Sequence, residues 1–381
     1  MSKPIRLFVD CHVFDGGYHG VRSVIKGLYG HLIQQADDIE FFMAAHDIEN
    51  LKKEFPTGKR VHYIQFNSPS SYWRLAVDIP RLITAHKIDY SHFQYVCPPI
   101  KRGRYIVTIH DILFREFPEM FPLSYRISKG ALFRWSANRA DILTTGMVYS
   151  QGSLVRHFGI GESRIKIVPY AVPDRYFQPV DKPESQRLVE ENHKLGKYIL
   201  YISRVEPRKN HHRLVAAFEA SGLWRQGYKL VLVGFSSVSY PEYDRAIADL
   251  PPECGQAIIL LEHIGEEEII HLFKAAELFV YPSMGEGGGL PPLEAAALEV
   301  PVICSNTTAM EEYDFFGKGH FDPADQEKLT RLLVEGVSES FRAPQRLAEI
   351  KRVVQERYSW SKSAQVLHKL IVEDNGRRSG P

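Results

Sequence analysis

The chain has 381 residues, of which 44% are hydrophobic and 24% charged, and its formal net charge is +1. That length exceeds what one hydrophobic core usually organises, so we expect two domains. A net charge so close to zero argues against a nucleic-acid-binding protein, which is normally basic overall, and we expect no nucleic-acid partner.

The start of the chain and its cysteines indicate a compartment. Residues 1–10 lead straight into a strand pattern without the apolar core of a signal peptide, and no apolar run approaches the ~20 residues of a membrane span. The four cysteines are far apart and lack the spacing of a redox or metal motif. We therefore expect a soluble, cytoplasmic protein with reduced thiols, which can still touch the inner face of a membrane.

The first half of the chain alternates between strand-like and helical patterns. Ile5 to Val9 predicts a buried strand, a glycine-rich loop follows at 15–22, and Ser23 to Gln35 has apolar residues at helical spacing. Further strands are predicted at 41–43, 61–64, 105–109 and 142–145, and helices at 74–87 and 128–139. This alternation predicts a parallel sheet with helices on both faces, and such sheets bind ligands at the carboxyl ends of their strands.

Two features of this half leave alternatives open. His110 follows the strand at 105–109, where it can bond a hydroxyl or stabilise a developing charge, while Asp111 can equally be an ordinary helix cap. Residues 114–139 are rich in aromatic and basic side chains. They are either a core-facing stripe with a solvated basic face or an amphipathic surface that rests on anionic lipid.

The second half carries two charged loops. The polar stretch from Pro179 to Lys197 predicts the domain boundary, and the strand Tyr198 to Ile202 follows it. Arg204 and Lys209 then lie on one strand-to-helix loop. The planar guanidinium and the point charge of the ammonium can converge there on a diphosphate.

The second loop lies between the strand Leu278 to Tyr281 and a helix that begins at Pro291. Its glycines allow backbone N–H groups to point at a phosphate. Glu286 precedes the glycines and Glu294 lies in the helix. Two carboxylates beside an anion site fit a ligand that also carries hydroxyls, as a nucleotide sugar does.

Glu-Gly-Gly-Gly-Leu-Pro-Pro-Leu-Glu-Ala at 286–295 resembles the paired-glutamate motif E-G-F-G-L-P-x-L-E-A of retaining glycosyltransferases of family 4. Residues 204–210 resemble the R-x-x-x-x-K-N signature of that family, and residues 107–112 resemble its T-x-H-D segment. Two positions depart from the pattern: Gly288 replaces a phenylalanine, and Tyr170-Ala171 replaces an Asn-Gly pair.

The resemblance implies a GT-B fold, with two Rossmann-like domains facing a central cleft. Residues 1–180 would bind the acceptor, residues 181–358 would bind the nucleotide sugar, and residues 359–381 would form a helix that returns to the first domain and ends in a frayed tail.

The resemblance also assigns site residues. Glu286 would hold sugar hydroxyls near the developing oxocarbenium, Glu294 would bind the ribose, and His110 would contact the sugar or the incoming hydroxyl. The remaining donor-binding positions are Arg204, Lys209 and the backbone of Gly288, Gly289 and Leu290 for the diphosphate, the backbone of Ile264 for the base, and Gly17 in the first glycine loop.

The activity that the resemblance implies is retaining transfer of a hexose. We expect mannose from GDP-mannose, moved to a glycan or polyprenol-linked saccharide in O-antigen synthesis, with peripheral membrane contact. No cofactor or metal is expected, because Arg204 and Lys209 can neutralise the diphosphate and no Asp-x-Asp lies near the motifs. The alternatives are a UDP-sugar-dependent transferase, a nucleotide-sugar 2-epimerase and a catalytically silent subunit that binds nucleotide sugar.

Overall fold

A computed structural model of the chain describes residues 3–16, 20–55, 58–236 and 238–378. The chain divides into two compact units. The N-terminal unit comprises the residues up to Ala171 together with those from Ser359 onward, and the C-terminal unit is Val172–Tyr358. No helix in the described part of the chain is long and apolar enough to span a membrane.

The N-terminal unit is built on a parallel sheet, whose described strands are β1 (Ile5–Asp10), β2 (Ile39–Ala45), β3 (Val61–Gln65), β4 (Tyr90–Gln94), β5 (Arg104–Thr108), β6 (Ile142–Thr145) and β7 (Ile165–Ile167). Their order is β3-β2-β1-β4-β5-β6-β7, and Val9 pairs with His92 across β1 and β4. The central strands are buried along almost their whole length, as parallel strands covered on both faces must be.

Helices connect these strands: α1 (Gly20–Gln35), α2 (Ile48–Glu54), α3 (Ser71–Trp73), α4 (Ile79–Ala85), α5 (Leu113–Glu116), α6 (Leu123–Arg139) and α7 (Val148–Phe158). A π-helical turn, Arg74–Asp78, joins α3 to α4. Aromatic side chains fill the core between sheet and helices, and the rings of Phe93 and Tyr105 meet edge to face at 4.9 Å.

The C-terminal unit has a second parallel sheet, whose described strands are β8 (Tyr198–Ile202), β9 (Lys229–Val233), β10 (Ile258–Leu261), β11 (Leu278–Tyr281), β12 (Val302–Ser305) and β13 (His320–Phe321). Their order is β10-β9-β8-β11-β12-β13. The helices of this unit are α8 (Lys182–His193), α9 (His211–Ser221), α10 (Pro241–Ala248), α11 (Pro252–Gln256), α12 (Glu266–Ala275), α13 (Pro291–Ala297), α14 (Gln326–Gly336) and α15 (Pro344–Arg357).

Short 3-10 helices complete both units: His12–Phe14, Pro118–Met120, Glu162–Arg164, Asp174–Phe177, Pro207–Lys209, Leu223–Gln226, Thr308–Glu312 and Asp314–Gly319. Each sheet reverses its strand order once, between β1 and β4 in the first and between β8 and β11 in the second. Such a reversal leaves a crevice beyond the carboxyl ends of the two strands, which is where open α/β sheets bind ligands.

The chain joins the C-terminal unit earlier than the polar stretch predicted. That stretch placed the boundary at 180, whereas the chain already packs with this unit from Val172, whose N–H donates to the carbonyl of Tyr358 at 3.2 Å. The buried ring of Tyr176 lies 6.1 Å from that of Phe273. The polar composition identified the first solvent-exposed residues of the linker, whereas the chain begins to pack against the C-terminal unit several residues earlier.

The last helix, α16 (Trp360–Arg378), belongs to the N-terminal unit and packs along α1. Ser363 Oγ donates to the carbonyl of Pro169 at 2.7 Å. The polar sequence from Asp374 predicted that the frayed tail begins there, but residues 374–378 are still helical. Tyr90 donates to Asp374 at 2.7 Å and Arg104 pairs with the same carboxylate at 3.4 Å, so these contacts hold the last turns of the helix.

Candidate active site

The two charged loops of the C-terminal unit meet at the reversal between β8 and β11. Backbone and side-chain hydrogen bonds join them: Met284 N–H donates to the carbonyl of Arg208 at 2.9 Å, and Asn210 Nδ2 donates to the carbonyl of Pro282 at 3.0 Å. Asn210 adopts a left-handed conformation, with φ of 62°, that turns the chain into α9. Two motifs more than 70 residues apart in sequence therefore form one site.

Glu286 is the centre of this site. Its side chain is buried, and three neighbours donate to its carboxylate: Lys209 and Tyr281 to Oε1, the latter at 3.0 Å, and Arg208 to Oε2 at 3.2 Å. The backbone N–H of Glu286 donates to Thr308 Oγ1 at 2.8 Å. The carboxylate is thus fixed in position from several directions.

Electrostatics keep this carboxylate ionised. Burial alone would raise the pKa of Glu286, but the charges of Lys209 and Arg208 and the hydrogen bond from Lys209 outweigh burial and lower the pKa to about 2. For Lys209 the balance is reversed: burial lowers the pKa of its ammonium more than Glu286 raises it, and Arg208 lowers it further. At neutral pH Glu286 can therefore accept hydrogen bonds and stabilise positive charge, but it cannot act as an acid.

Arg204 differs from Lys209 in its surroundings. It is exposed, and its guanidinium carbon lies 5.7 Å from the ring centroid of Phe235. Among the described residues it has no ion pair, so its charge is available to a ligand above the loop. Lys209 is already paired with Glu286, and a diphosphate would have to share its ammonium.

The glycine turn supplies backbone donors. Gly289 has φ of +61°, and a side chain there would also press on Met310, whose Sδ would lie 2.9 Å from an added Cβ. Tyr313 donates to the carbonyl of Gly288 at 2.5 Å. Within the described chain, the N–H groups of Gly288, Gly289 and Leu290 donate to no acceptor, so all three are available to an anion.

Glu294 lies in the first turn of α13 and is partly exposed. Its carboxylate makes no hydrogen bond to a described residue. Burial raises its pKa to about 7, with Arg175 opposing the rise and Glu266 adding to it. This carboxyl therefore changes charge near neutral pH and has unused capacity for ligand hydroxyls.

Two other predicted donor positions lie apart from these contacts. Ile264 is in the loop that follows β10, the edge strand of the same sheet, two strands away from β8. Its loop opens at the same carboxyl edge as the loops that carry Lys209 and Glu286. Gly17 lies outside the described residues.

His110 lies in the N-terminal unit and is buried. Its Nδ1 is 2.6 Å from the hydroxyl of Tyr170, and its Nε2 is 2.8 Å from Gln94 Oε1. The amide nitrogen of Gln94 faces His92 Nε2 at 3.3 Å, so the amide oxygen of Gln94 accepts from His110 Nε2. Nδ1 of His110 then carries the lone pair and accepts from the hydroxyl of Tyr170. Contact of this ring with a sugar would have to replace one of these partners.

Tyr170 is one of the two departures from the family pattern, and the structure gives it a function in packing. Its ring lies directly over Gly146, where an added Cβ would come within 2.2 Å of the ring. The glycine admits the ring, and the ring brings its hydroxyl to His110. Tyr170 therefore helps to fix the tautomer of a predicted site residue.

Sequence reasoning missed Arg208 and Thr308. Arg208 donates to the carbonyl of Gly285 and to the carboxylates of Glu206 and Glu286, which joins the two loops. Thr308 has φ of +56° and accepts from the backbone of Glu286. The only sequence signal for Arg208 was its place beside Lys209, and Thr308 gave none.

Models of two glycosyltransferase families match the chain. "Glycosyltransferase Family 4" matches residues 18–175, and "Glycosyl transferases group 1" matches residues 184–352. Together the two models cover most of the chain. It consists of a family 4 glycosyltransferase domain followed by a group 1 glycosyltransferase domain. The family predicted from the paired-glutamate motif and the R-x-x-x-x-K-N signature is therefore confirmed, and the protein is a glycosyltransferase enzyme.

Individual relatives agree with the family. The glycosyltransferase is 29% identical to O-antigen chain mannosyltransferase B of Escherichia coli over 66% of this chain and 67% of that protein. A solved glycosyltransferase from Rickettsia africae superposes with a TM-score of 0.72 at 17% identity, covering 98% of this chain and 99% of its own. HepE of Anabaena in complex with UDP-glucose gives 0.73 at 16% identity, covering 97% and 100%. These structures confirm the GT-B fold.

Proposed function

We propose that this glycosyltransferase moves mannose from GDP-mannose to a saccharide acceptor, with retention of anomeric configuration. The observation that carries the proposal is the cluster of Lys209, Arg208 and Glu286 beside the free N–H groups of the glycine turn. Cations and N–H donors match the negative charge that develops on a leaving diphosphate, and such preorganised electrostatics is generally the largest catalytic term. The choice of mannose and of an O-antigen product rests on similarity to O-antigen chain mannosyltransferases.

The residues divide into anion-binding and hydroxyl-binding groups. Arg204, Lys209 and the N–H groups of the glycine turn would hold the diphosphate. Glu294 would accept from the ribose hydroxyls, and Glu286 would hold sugar hydroxyls and stabilise positive charge on the ring. The base would lie against the backbone at Ile264, and His110 would contact the sugar or the incoming hydroxyl.

A UDP-sugar donor is the second candidate, because HepE, which has the same fold, is described in complex with UDP-glucose. Separate incubations with GDP-mannose and UDP-glucose, followed by product analysis, decide between the donors. Released nucleoside diphosphate supports transfer or hydrolysis, an epimerised donor would indicate the epimerase, and an unchanged donor would indicate a binding subunit. Glu286→Gln should abolish turnover, whereas Glu327→Gln, which alters an exposed carboxylate of the same unit, should not.

We propose that the reaction needs no metal or cofactor, because cationic side chains face the diphosphate position. Excess EDTA should therefore leave the rate of nucleoside diphosphate release unchanged. A loss of activity that Mg²⁺ or Mn²⁺ restores would contradict this proposal. The anomeric configuration of the product, measured by NMR, tests retention.

We also propose that α6 rests on anionic lipid. One face of the helix is buried through Phe133 and Ala137, while Leu123 and Ile127 are 63% and 62% exposed. The helix carries four basic residues and no acidic one, so its exposed apolar side chains lie in a positive field. Leu123→Ser with Ile127→Ser should reduce co-sedimentation with phosphatidylglycerol vesicles, and phosphatidylcholine vesicles should bind neither form.

A further inference from the structure

A threonine beside the paired-glutamate loop has a strained backbone. Thr308 begins the 3-10 helix Thr308–Glu312, and its φ of +56° lies in the left-handed region. Among the described residues other than glycine that have a positive φ, it is the one with a β-branched side chain. A β-branched residue rarely adopts this conformation, and such strain persists only where the surrounding contacts require it. The conformation of Thr308 therefore indicates that its contacts hold it in place.

The hydroxyl of Thr308 both donates and accepts a hydrogen bond. It donates to the carbonyl of Thr307 at 2.7 Å, and it accepts from the backbone N–H of Glu286 at 2.8 Å. Because the proton points at Thr307, a lone pair of the oxygen is left for Glu286. Within the described chain no other group accepts from that N–H, and both Thr308 and Glu286 are buried. The position of the Glu286 backbone therefore depends on this hydroxyl.

The loop after Glu286 lacks side chains that could fix its shape. Residues 287–289 are three consecutive glycines, and glycine restricts its own backbone least of all residues. The order of the loop comes instead from the segment that follows β12. Tyr313 donates to the carbonyl of Gly288 at 2.5 Å, and Thr308 bonds the N–H of Glu286. Thr308 thus holds the one residue of this loop that carries a carboxylate.

Glu286 is held at both ends of its side chain. Lys209 and Arg208 pair with the carboxylate, whereas Thr308 fixes the peptide group from which the side chain starts. Loss of a cation changes the charges around the carboxylate. Loss of the Thr308 hydroxyl leaves those charges in place and changes only the position of the residue. The two kinds of contact can therefore be tested separately.

We propose that Thr308 is a positioning residue for Glu286, and that its strained conformation is what brings its hydroxyl to the backbone N–H of that residue. Thr308 acts through Glu286 and does not itself contact the donor. The inference rests on the proposed function, in which Glu286 holds sugar hydroxyls of the donor. It adds the requirement that the carboxylate be placed from its backbone as well as from its charged partners.

Three substitutions separate the hydroxyl from the strain. Thr308→Ser keeps the hydroxyl, Thr308→Val keeps the β-branched shape without it, and Thr308→Gly lacks it but accepts a positive φ without strain. The release of nucleoside diphosphate is measured with GDP-mannose and with UDP-glucose as donors. We expect kcat to fall about tenfold in both Thr308→Val and Thr308→Gly, the size of effect that one hydrogen bond supports. Thr308→Ser should stay within about twofold of wild type, because its hydroxyl replaces the lost acceptor.

Activity and stability should rank these variants differently. Because glycine relieves the strain, Thr308→Gly should have a higher melting temperature than Thr308→Val, although the two lose the same activity. If Thr308 only stabilised the fold, activity would follow the melting temperature, and that result would overturn the inference. Thr307→Val is the matched control, because the Thr307 hydroxyl donates to the carbonyl of Met284 and its φ of −115° is ordinary. The control should keep the wild-type kcat.

Hydrogen exchange at the amide of Glu286 tests the contact without turnover. We expect this amide to exchange more than about tenfold faster in Thr308→Gly than in Thr308→Ser, because only the serine variant keeps the acceptor. Equal exchange in the two variants would overturn the inference while the proposed function stands. A wild-type enzyme that consumes neither donor would overturn the proposed function, and the exchange rates would then still decide whether Thr308 holds Glu286.

Discussion

Breaking the ion pair between Glu286 and Lys209 should destabilise the C-terminal unit by an amount that depends on which of the two residues is replaced. In Glu286→Gln the ammonium of Lys209 stays buried and loses the carboxylate that most stabilises its charge, with the like charge of Arg208 nearby and the hydroxyl of Tyr281 3.5 Å away. In Lys209→Met the carboxylate of Glu286 keeps both Arg208 and Tyr281. The first variant should therefore lose more stability than the second.

The size of the loss can be worked from the pair itself. A carboxyl pKa lowered from 4.5 to about 2 corresponds to about 3 kcal/mol of stability at neutral pH. The lowered pKa of Lys209 offsets part of this contribution when the pair is intact. Removal of one partner from a buried pair typically costs about 3–5 kcal/mol, because the other charge is left uncompensated. For a unit of this size, that loss lowers the melting temperature by roughly 6 to 20 °C.

Differential scanning calorimetry of wild type, both single variants and the double variant measures this coupling. We expect the double variant to recover part of the stability lost in Glu286→Gln, because it buries no unpaired charge. The pH dependence has a defined sign: because the pKa of Glu286 is lowered on folding, its contribution is present above about pH 4.5 and is lost as pH falls toward 2. A Glu286→Gln protein as stable as wild type, or more stable than Lys209→Met, would refute the reasoning.

Three further predictions follow from the same structure. Because the pKa of Glu294 is about 7 and ribose hydroxyls bind its charged form, the affinity for GDP should rise about tenfold more from pH 6 to pH 8 in wild type than in Glu294→Gln, as calorimetric titration would measure. Arg208→Met removes one of the two charges that lower the pKa of Glu286, so the acid limb of the pH–rate profile should move to higher pH. Gly146→Ala drives a methyl group into the ring of Tyr170 and should cost the N-terminal unit about 1–3 kcal/mol of unfolding free energy in denaturant.

Each of these has an outcome that contradicts it. Parallel pH curves for wild type and Glu294→Gln would remove that carboxyl from the nucleoside site. If the acid limb of the pH–rate profile lies at the same pH in Arg208→Met as in wild type, protonation of Glu286 does not determine that limb. Gly152→Ala, in the middle of α7, is the control for Gly146→Ala, because an added Cβ there meets only the flexible end of Arg156 at 3.3 Å. Equal stabilities of the two glycine variants would show that the ring of Tyr170 shifts freely.

Strand β4, whose side chains are largely polar, is among the strands that the sequence did not predict. Strand β4 reads Tyr-Ser-His-Phe-Gln, and no hydrophobic pattern identifies it. All five residues are buried, and two of the polar side chains have buried partners: His92 bonds Tyr29 at 2.5 Å and Thr108 at 2.7 Å, and Gln94 bonds His110 at 2.8 Å. Tertiary hydrogen bonds satisfied these groups, and a single sequence does not reveal such bonds.

The same limit applied to the site. Arg204, Lys209, Glu286 and Glu294 could be found because their spacing is local to each motif. The contact of Arg208 with Glu286 joins residues 78 positions apart and depends on how β8 and β11 pair.

The two sheets give the variants a pattern that separates donor chemistry from acceptor chemistry. Lys209 and Glu286 lie at the reversal of the second sheet, so changes there remove charge stabilisation that both hydrolysis and transfer need. His110 lies in the N-terminal unit, and the proposed function gives it contact with the incoming hydroxyl, so its replacement should reduce transfer while water still hydrolyses the donor. A loss of hydrolysis in the C-terminal variants together with a loss of transfer alone in the N-terminal ones requires two sites with different functions. No general loss of stability produces that combination.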